Sequence, residues 1–211
     1  MQNITIIRSL PYKYEVEGLD LYDSFEAVAT RKIDPEILLP TVSQIESLKK
    51  ITDSTDVVYI SDTRRARETA GFLPKPIIET KLLREVGYSM DDFLDKNSFY
   101  EMDCNVNYAR KKFFAAYADN RLNETHHGVV RRIEQVFATF EHNDKENIVL
   151  ISHGFFIKLI EAYVRLPEFR TDPKKLFTIY DGGYPTYKFA GGICLNRNHG
   201  IIQFNQILEA I

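Results

Sequence analysis

Short runs of β-branched residues alternate along the chain with longer stretches whose apolar positions recur every three or four residues, the pattern of strands feeding helices. Ile4-Thr5-Ile6-Ile7, Val57-Val58-Tyr59-Ile60 and Ile148-Val149-Leu150-Ile151-Ser152 read as strands, and none contains Gly or Pro. Their lack of polar alternation fits strands buried on both faces of a parallel sheet. Ile77-Ile78-Glu79 is a shorter run after Pro74 and Pro76. Helical spacing appears in residues 21–32 through Leu21, Phe25, Val28 and Ala29, and in 41–51 through Val42, Ile45 and Leu48. It returns from Val106 to Ala118, from Asn123 through Val129, Ile133, Val136 and Phe140, and from Phe155 to Leu166. Ile193-Cys194-Leu195-Asn196 and Ile201-Ile202-Gln203-Phe204 flank Arg197-Asn198-His199-Gly200, which predicts a closing hairpin. The alternation predicts an α/β fold on a mainly parallel sheet, one domain spanning 1–211. Within it, the polar and aromatic segment 88–123 reads as an insertion capping one side of the sheet edge. Residues 167–192 read as irregular connection, with Asp181-Gly182-Gly183-Tyr184 and Gly191-Gly192 lacking phosphate-loop spacing.

Composition changes this picture little. The 211 residues are 44% hydrophobic and 27% charged with a net charge of −3, ordinary values for a chain with a real core. That charge gives no reason to expect nucleic acid or an anionic membrane surface as partner. No apolar run approaches the 18 or so residues of a membrane span, and no leader pattern precedes the first strand. Cys104 and Cys194 stand in no ligand-like spacing, so two reduced thiols and a cytoplasmic location are expected. No motif bears on the oligomeric state.

Candidate chemistry gathers where predicted strands end. Arg8 follows the first strand, Arg65 the second, Glu85 comes shortly after the third, and His153 follows the fourth. The carboxyl ends of parallel strands share one edge, where ligands of open α/β sheets bind. Two guanidinium forks and an imidazole suit a tetrahedral oxyanion, because arginine matches phosphate geometry with paired hydrogen bonds. A carboxylic acid beside them can protonate a departing alcohol. Arg64, Arg65 and Arg67 crowd the start of a helix, whose dipole repels cations; an anion held between them and the strand edge would remove the conflict, and three solvated arginines on an exposed face are the alternative. His126, His127 and His142 are expected on solvated helix faces, and His199 in the hairpin turn.

These segments resemble the histidine phosphatase superfamily, also called phosphoglycerate-mutase-like, over nearly the whole chain. Ile6-Ile7-Arg8-Ser9-Leu10 matches in position the strand and Arg-His-Gly motif of that family. Ser61-Asp62-Thr63-Arg64-Arg65-Ala66-Arg67-Glu68-Thr69-Ala70 is similar to its Ser-x-x-x-Arg-Ala-x-x-Thr-Ala motif. Leu83-Arg84-Glu85 resembles its acidic motif, Ile151-Ser152-His153-Gly154 its second histidine motif, and Asn123-Glu124-Thr125 with Arg132 its Gly-Glu-Ser…Arg helix start. The resemblance implies a three-layer α/β/α sandwich. It also implies a phosphate pocket of Arg8, Arg65 and His153, Glu85 as proton donor, and neither metal nor cofactor.

One position departs from the family pattern. Where the family carries its nucleophilic histidine this chain has Ser9, and Leu10 stands for the following glycine. A serine hydroxyl is a weak nucleophile unless a base activates it, and its phosphate ester is far more stable than a phosphoramidate. The expectation is a phosphate pocket that binds a phosphorylated small molecule or phosphoprotein with little or no hydrolysis. Two alternatives remain: a phosphomonoesterase of altered chemistry, with His153 as base for Ser9 or water and Glu85 as acid, and a protein-interaction scaffold.

Overall fold

Strands β1 (Gln2–Arg8), β2 (Val57–Ser61), β3 (Ile77–Thr80) and β4 (Asn147–Ser152) run parallel, while β5 (Gly192–Asn198) and β6 (Ile201–Leu208) run antiparallel to their neighbours. Together they form one six-stranded sheet in the order β3-β2-β4-β1-β5-β6. This computed structural model describes residues 1–73, 75–140, 144–180 and 187–209. The expectations for Pro74, His142 and Asp181-Gly182-Gly183-Tyr184 fall outside the described residues.

The three central strands alternate strictly yet are apolar on both sides, because each face meets a helical layer. Ile4, Ile6, Val57, Tyr59, Ile148 and Leu150 pack with residues of α5 (Val106–Ala118), α6 (His126–Ala138) and α7 (Gly154–Arg165). Ile7, Val58, Ile60, Val149 and Ile151 face α2 (Val42–Thr52) and α3 (Arg64–Ala70). The result is a three-layer α/β/α sandwich. A satellite cluster joins α1 (Leu21–Ala29) and α4 (Lys96–Glu101) through Tyr22, Met90, Leu94, Phe99 and Ala109. Segment 88–123 is therefore half helical, and its α5 carries Phe113, Phe114 and Tyr117 against Phe155 at the start of α7.

Local chemistry explains several boundaries. Thr41 and Gln44 form a reciprocal capping box that starts α2. The β5–β6 turn is tighter than expected: Asn198 still belongs to β5, and His199 and Gly200 alone turn the chain at φ 48° and 80°. Gly192 opens β5 so close to β1 that a Cβ there would lie 1.8 Å from the Ile6 carbonyl oxygen. Its glycine serves strand pairing. The connection 167–180 is not wholly irregular, since Pro167–Arg170 and Pro173–Thr178 form 3₁₀ turns, each opened by a proline.

His126 overturns its expectation. The first turn of α6 is covered by segments distant in sequence, so the ring is buried, with Nδ1 2.8 Å from the Tyr117 hydroxyl and the Phe169 ring edge-on to it. Among the described residues no helix is long and apolar enough to cross a membrane, and no group of His, Cys, Asp and Glu is arranged to hold a metal ion.

Candidate functional site

Parallel pairing aligns the strand ends: Arg8 lies beside Ser152 in register, and Ser61 beside Thr80. The five residues expected from the strand ends, Arg8, Ser9, Arg65, Glu85 and His153, accordingly meet at this one carboxyl edge. Ser9 is buried there, its N–H donating to the Ser152 carbonyl at 3.0 Å. Leu10 turns away into the apolar layer under α2 and α3, fully buried, with its N–H donating to Thr69 Oγ1.

His153 is wholly buried and both of its nitrogens are engaged. Arg65 donates to Nδ1 from Nε at 3.3 Å and from Nη2 at 3.0 Å. Arginine can only donate, so Nδ1 carries the lone pair and Nε2 the proton, which points at Ser61 Oγ 2.9 Å away. Burial first, then the charges of Arg65 and Arg8, push the imidazole pKa well below its ordinary value. The ring is neutral and acts as the seat on which Arg65 rests.

Glu85 follows a 3₁₀ turn, Lys81–Leu83, and its carboxyl group accepts the N–H groups of Phe155 at 3.1 Å, Phe156 at 2.9 Å and its own neighbour Val86 at 3.0 Å. The first two are amides of the opening turn of α7, which would otherwise lack partners. Burial raises the Glu85 pKa, and the amide bonds together with the Arg65 charge oppose it. Its loop is braced from three directions. Arg84 grips Asp62 with two hydrogen bonds, and Arg132 donates to the carbonyls of Leu82 and Arg84 while holding Glu124 with its other nitrogens. Ser152 Oγ donates to the Leu83 carbonyl at 2.8 Å.

Arg8 lies against α7, where a Cβ on Gly154 would come within 3.3 Å of its Nε. Its Nη1 donates to the Tyr187 carbonyl at 2.9 Å, and the Phe189 ring lies 4.0 Å from Cζ. Burial lowers its pKa.

A cavity of about 190 Å³ opens beside this cluster. Arg65, Glu85, Tyr12, Arg31, Asp34 and Tyr88 are among the residues that line it. The Tyr12 ring sits 4.8 Å from the Arg65 guanidinium carbon. Asp34 Oδ1 is 4.0 Å from Arg65 Nη1, and Oδ2 accepts the Arg64 N–H, supplying the start of α3 with the cap that Thr63 does not provide. Arg110 of α5 is near enough to Arg8 for the like charge to lower its pKa further after burial has lowered it. Sequence reasoning missed Tyr12, Arg31, Asp34 and Arg110, since each reaches the edge from a loop or a second-layer helix. Arg64 and Arg67 take no part: they are half-exposed and paired with Glu36, Glu68 and Glu79.

This is an α/β sandwich with buried arginines at the carboxyl edge of its sheet, side chains whose paired N–H groups match oxyanion geometry. The comparisons narrow it. The profile of the histidine phosphatase superfamily (branch 1) matches residues 32–171, and the chain belongs to that superfamily. The matched span begins after β1 and so leaves out Arg8 and Ser9. No curated protein sequence matches the chain. Among solved structures, a mutant phosphoserine phosphatase from Entamoeba histolytica in complex with phosphoserine is similar, with a TM-score of 0.65 at 16% identity over 99% of this chain and 97% of that one. The same enzyme in complex with 3-phosphoglyceric acid gives 0.64 at 16% over 100% and 98%. A mycobacterial glucosyl-3-phosphoglycerate phosphatase complexed with VO3 gives 0.66 at 16% over the whole of both chains. At these identities the likeness is one of fold.

Proposed function

We propose that the carboxyl edge binds a small phosphate monoester through Arg8 and Arg65, with little or no hydrolysis. The carrying observation is the state of His153: its one lone pair is taken by Arg65 and its proton by Ser61. A ring so engaged cannot serve as base for Ser9 or for a water until Arg65 lets go, and Ser9 by itself is a poor nucleophile. Arg65, held on two of its five donors, keeps others for an oxyanion. The family's phosphatase character supports phosphate as that anion, and the replacement of the nucleophilic histidine by Ser9 is part of this reading.

Cavity size favours a small molecule over a phosphoprotein. About 190 Å³ is the space of roughly six waters at ~30 Å³ each. That suits a short hydroxylated fragment beside the phosphate, and a nucleoside or a stretch of peptide would extend beyond the cavity.

One observation favours the alternative of slow hydrolysis. Burial raises the pKa of Glu85, which is the direction an acid for a departing alcohol requires. The two readings separate in one set of assays. Calorimetry with inorganic phosphate and short-chain monoesters is expected to show binding, and the same esters are expected to turn over negligibly. Ser9→His with Leu10→Gly is expected to create phosphomonoesterase activity and an acid-labile phosphohistidine. Vigorous wild-type turnover, abolished by His153→Ala and unchanged by Ser9→Ala, would overturn the binding reading. Unmeasurable phosphate binding would favour the scaffold.

A further inference from the structure

Two charged residues interrupt the apolar face of α7. In Phe155-Phe156-Ile157-Lys158-Leu159-Ile160-Glu161-Ala162, Lys158 and Glu161 are each 1% exposed. A buried carboxylate is costly unless every lone pair finds a donor, so what surrounds Glu161 states what it is for. Oε1 accepts Nη1 of Arg165 one turn on. Oε2 accepts the hydroxyls of both Tyr180 and Tyr187, which lie 3.1 Å from each other. The two rings are buried, and burial and the Glu161 charge both raise their pKa values, so the phenols keep their protons and remain donors.

Tyr187 has a second task. Its backbone carbonyl is the acceptor for Nη1 of Arg8 at 2.9 Å. Two residues on, the Phe189 ring covers the same guanidinium with its centroid 4.0 Å from Cζ, and the Ala190 N–H donates to the Arg8 carbonyl at 3.0 Å. Residues 187–190 therefore wrap Arg8 on one side while Gly154 backs it on another. The described bond that fixes the Tyr187 side chain from the α7 side ends on Glu161.

We infer that Glu161 is a positioning residue of the anion site, acting on Arg8 through the hydroxyl and the carbonyl of Tyr187. The inference rests on Arg8 being a phosphate ligand only for its effect on binding; its effect on the arginine itself stands apart from that reading. A hydrogen bond fails within about half an ångström of displacement, and an anion site loses affinity when its donors must first be ordered. Loss of the Glu161–Tyr187 contact leaves the Tyr187 hydroxyl only the longer contact to Tyr180, and Arg8 gains freedom that the ligand must then remove.

The test combines a spectrum with a thermodynamic cycle. Nitrogen-edited spectra of the arginine side chains, with the Arg8 signal identified by its loss in Arg8→Lys, are expected to show a sharp guanidinium resonance in the wild type. In Tyr187→Phe and Glu161→Gln it is expected to broaden. Inorganic phosphate affinity by calorimetry is expected to fall about tenfold in Tyr187→Phe, the worth of one lost hydrogen bond. That loss is expected to vanish in an Arg8→Ala background, because coupled residues do not add. An unchanged Arg8 resonance, or the same tenfold loss without Arg8, would overturn the inference. Should Glu161→Gln fail to fold, Tyr187→Phe removes a single hydroxyl and carries the test. Should the wild type bind no phosphate, the site reading fails while the Arg8 resonance still decides this one.

Discussion

Arg8 stands between two buried polar clusters built on opposite plans. Around Glu161, one carboxylate meets two phenols and a guanidinium, and the cluster closes on itself. Around Arg65, the guanidinium groups of Arg8, Arg31 and Arg110 gather at an edge where Glu85 is already spent on the amides of α7 and Asp34 stands 4.0 Å from Arg65 Nη1. A cavity lies beside them. Buried polar groups are tolerated when satisfied among themselves; guanidinium groups gathered beside a cavity have the charge and geometry that suit an anion. The difference separates a cluster closed on itself from one that borders a cavity. It also predicts that substitutions on the two sides will fail in different assays.

The largest effect falls on the closed side. Glu161→Ala removes the acceptor from two buried phenols and a guanidinium, and is expected to lower stability by about 3–5 kcal/mol, the cost of breaking a buried charged contact. Urea unfolding measures it, and a loss below about 1 kcal/mol would mean that the cluster is not closed.

On the open side the loss appears in affinity instead. Arg65→Ala is expected to weaken phosphate binding by about 1.5–3 kcal/mol, the range for a charge-assisted hydrogen bond. Its urea midpoint should move less than that of Glu161→Ala. Equal shifts in both midpoints, with phosphate affinity untouched, would erase the distinction between the clusters.

Acidity sharpens the contrast further. The folded state holds His153 neutral, with its pKa well below the ordinary 6.5. Below that value the unfolded chain takes up the proton first, so stability falls as pH drops. At pH 5.5 this residue alone is expected to cost about 1 kcal/mol relative to neutral pH. Glu85, raised by burial, works in the other direction, favouring the folded state at low pH and losing that advantage as pH rises through its folded value. Thermal unfolding of wild type and His153→Gln between pH 7 and 5 separates the two, and the variant should give the shallower slope.

The smallest effect is expected on α3. Arg67 shares the helix of Arg65 but lies half-exposed against Glu79, so Arg67→Ala should cost less than about 1 kcal/mol of stability. Phosphate affinity is expected to stay within error of wild type. A clear loss would extend the site to the exposed face of α3.

What the sequence makes legible here follows from periodicity. Val57–Ile60 and Ile148–Ile151 are apolar at every position because both faces are covered, and that texture announces parallel strands directly. Arg8, Arg65, Glu85 and His153 are legible for a related reason, since topology alone brings strand ends to one edge. Tyr12, Asp34 and Arg110 arrive through loop pairing and a second-layer helix, and no spacing encodes that. His126 was hidden likewise: its own helix pattern is amphipathic, and Tyr117 and Phe169 cover it from elsewhere. Glu161 did leave a signal. Two charges within an otherwise apolar helix buried on nearly every side imply partners, though not which ones.

The position of β1 in the sheet has a consequence for how the protein is made. β1 carries Arg8 yet pairs with β4, where Ile4 meets Ile148, and with β5, where Gln2 meets Arg197. An emerging chain can form neither ladder until those distant segments leave the ribosome. The apolar run Ile4–Ile7 must wait meanwhile with both edges bare, a template for pairing with other chains. Contacts of such sequence separation slow folding, so the edge that carries Arg8 cannot form before β4 is made, and a product cut short of β4 would expose an aggregation-prone strand.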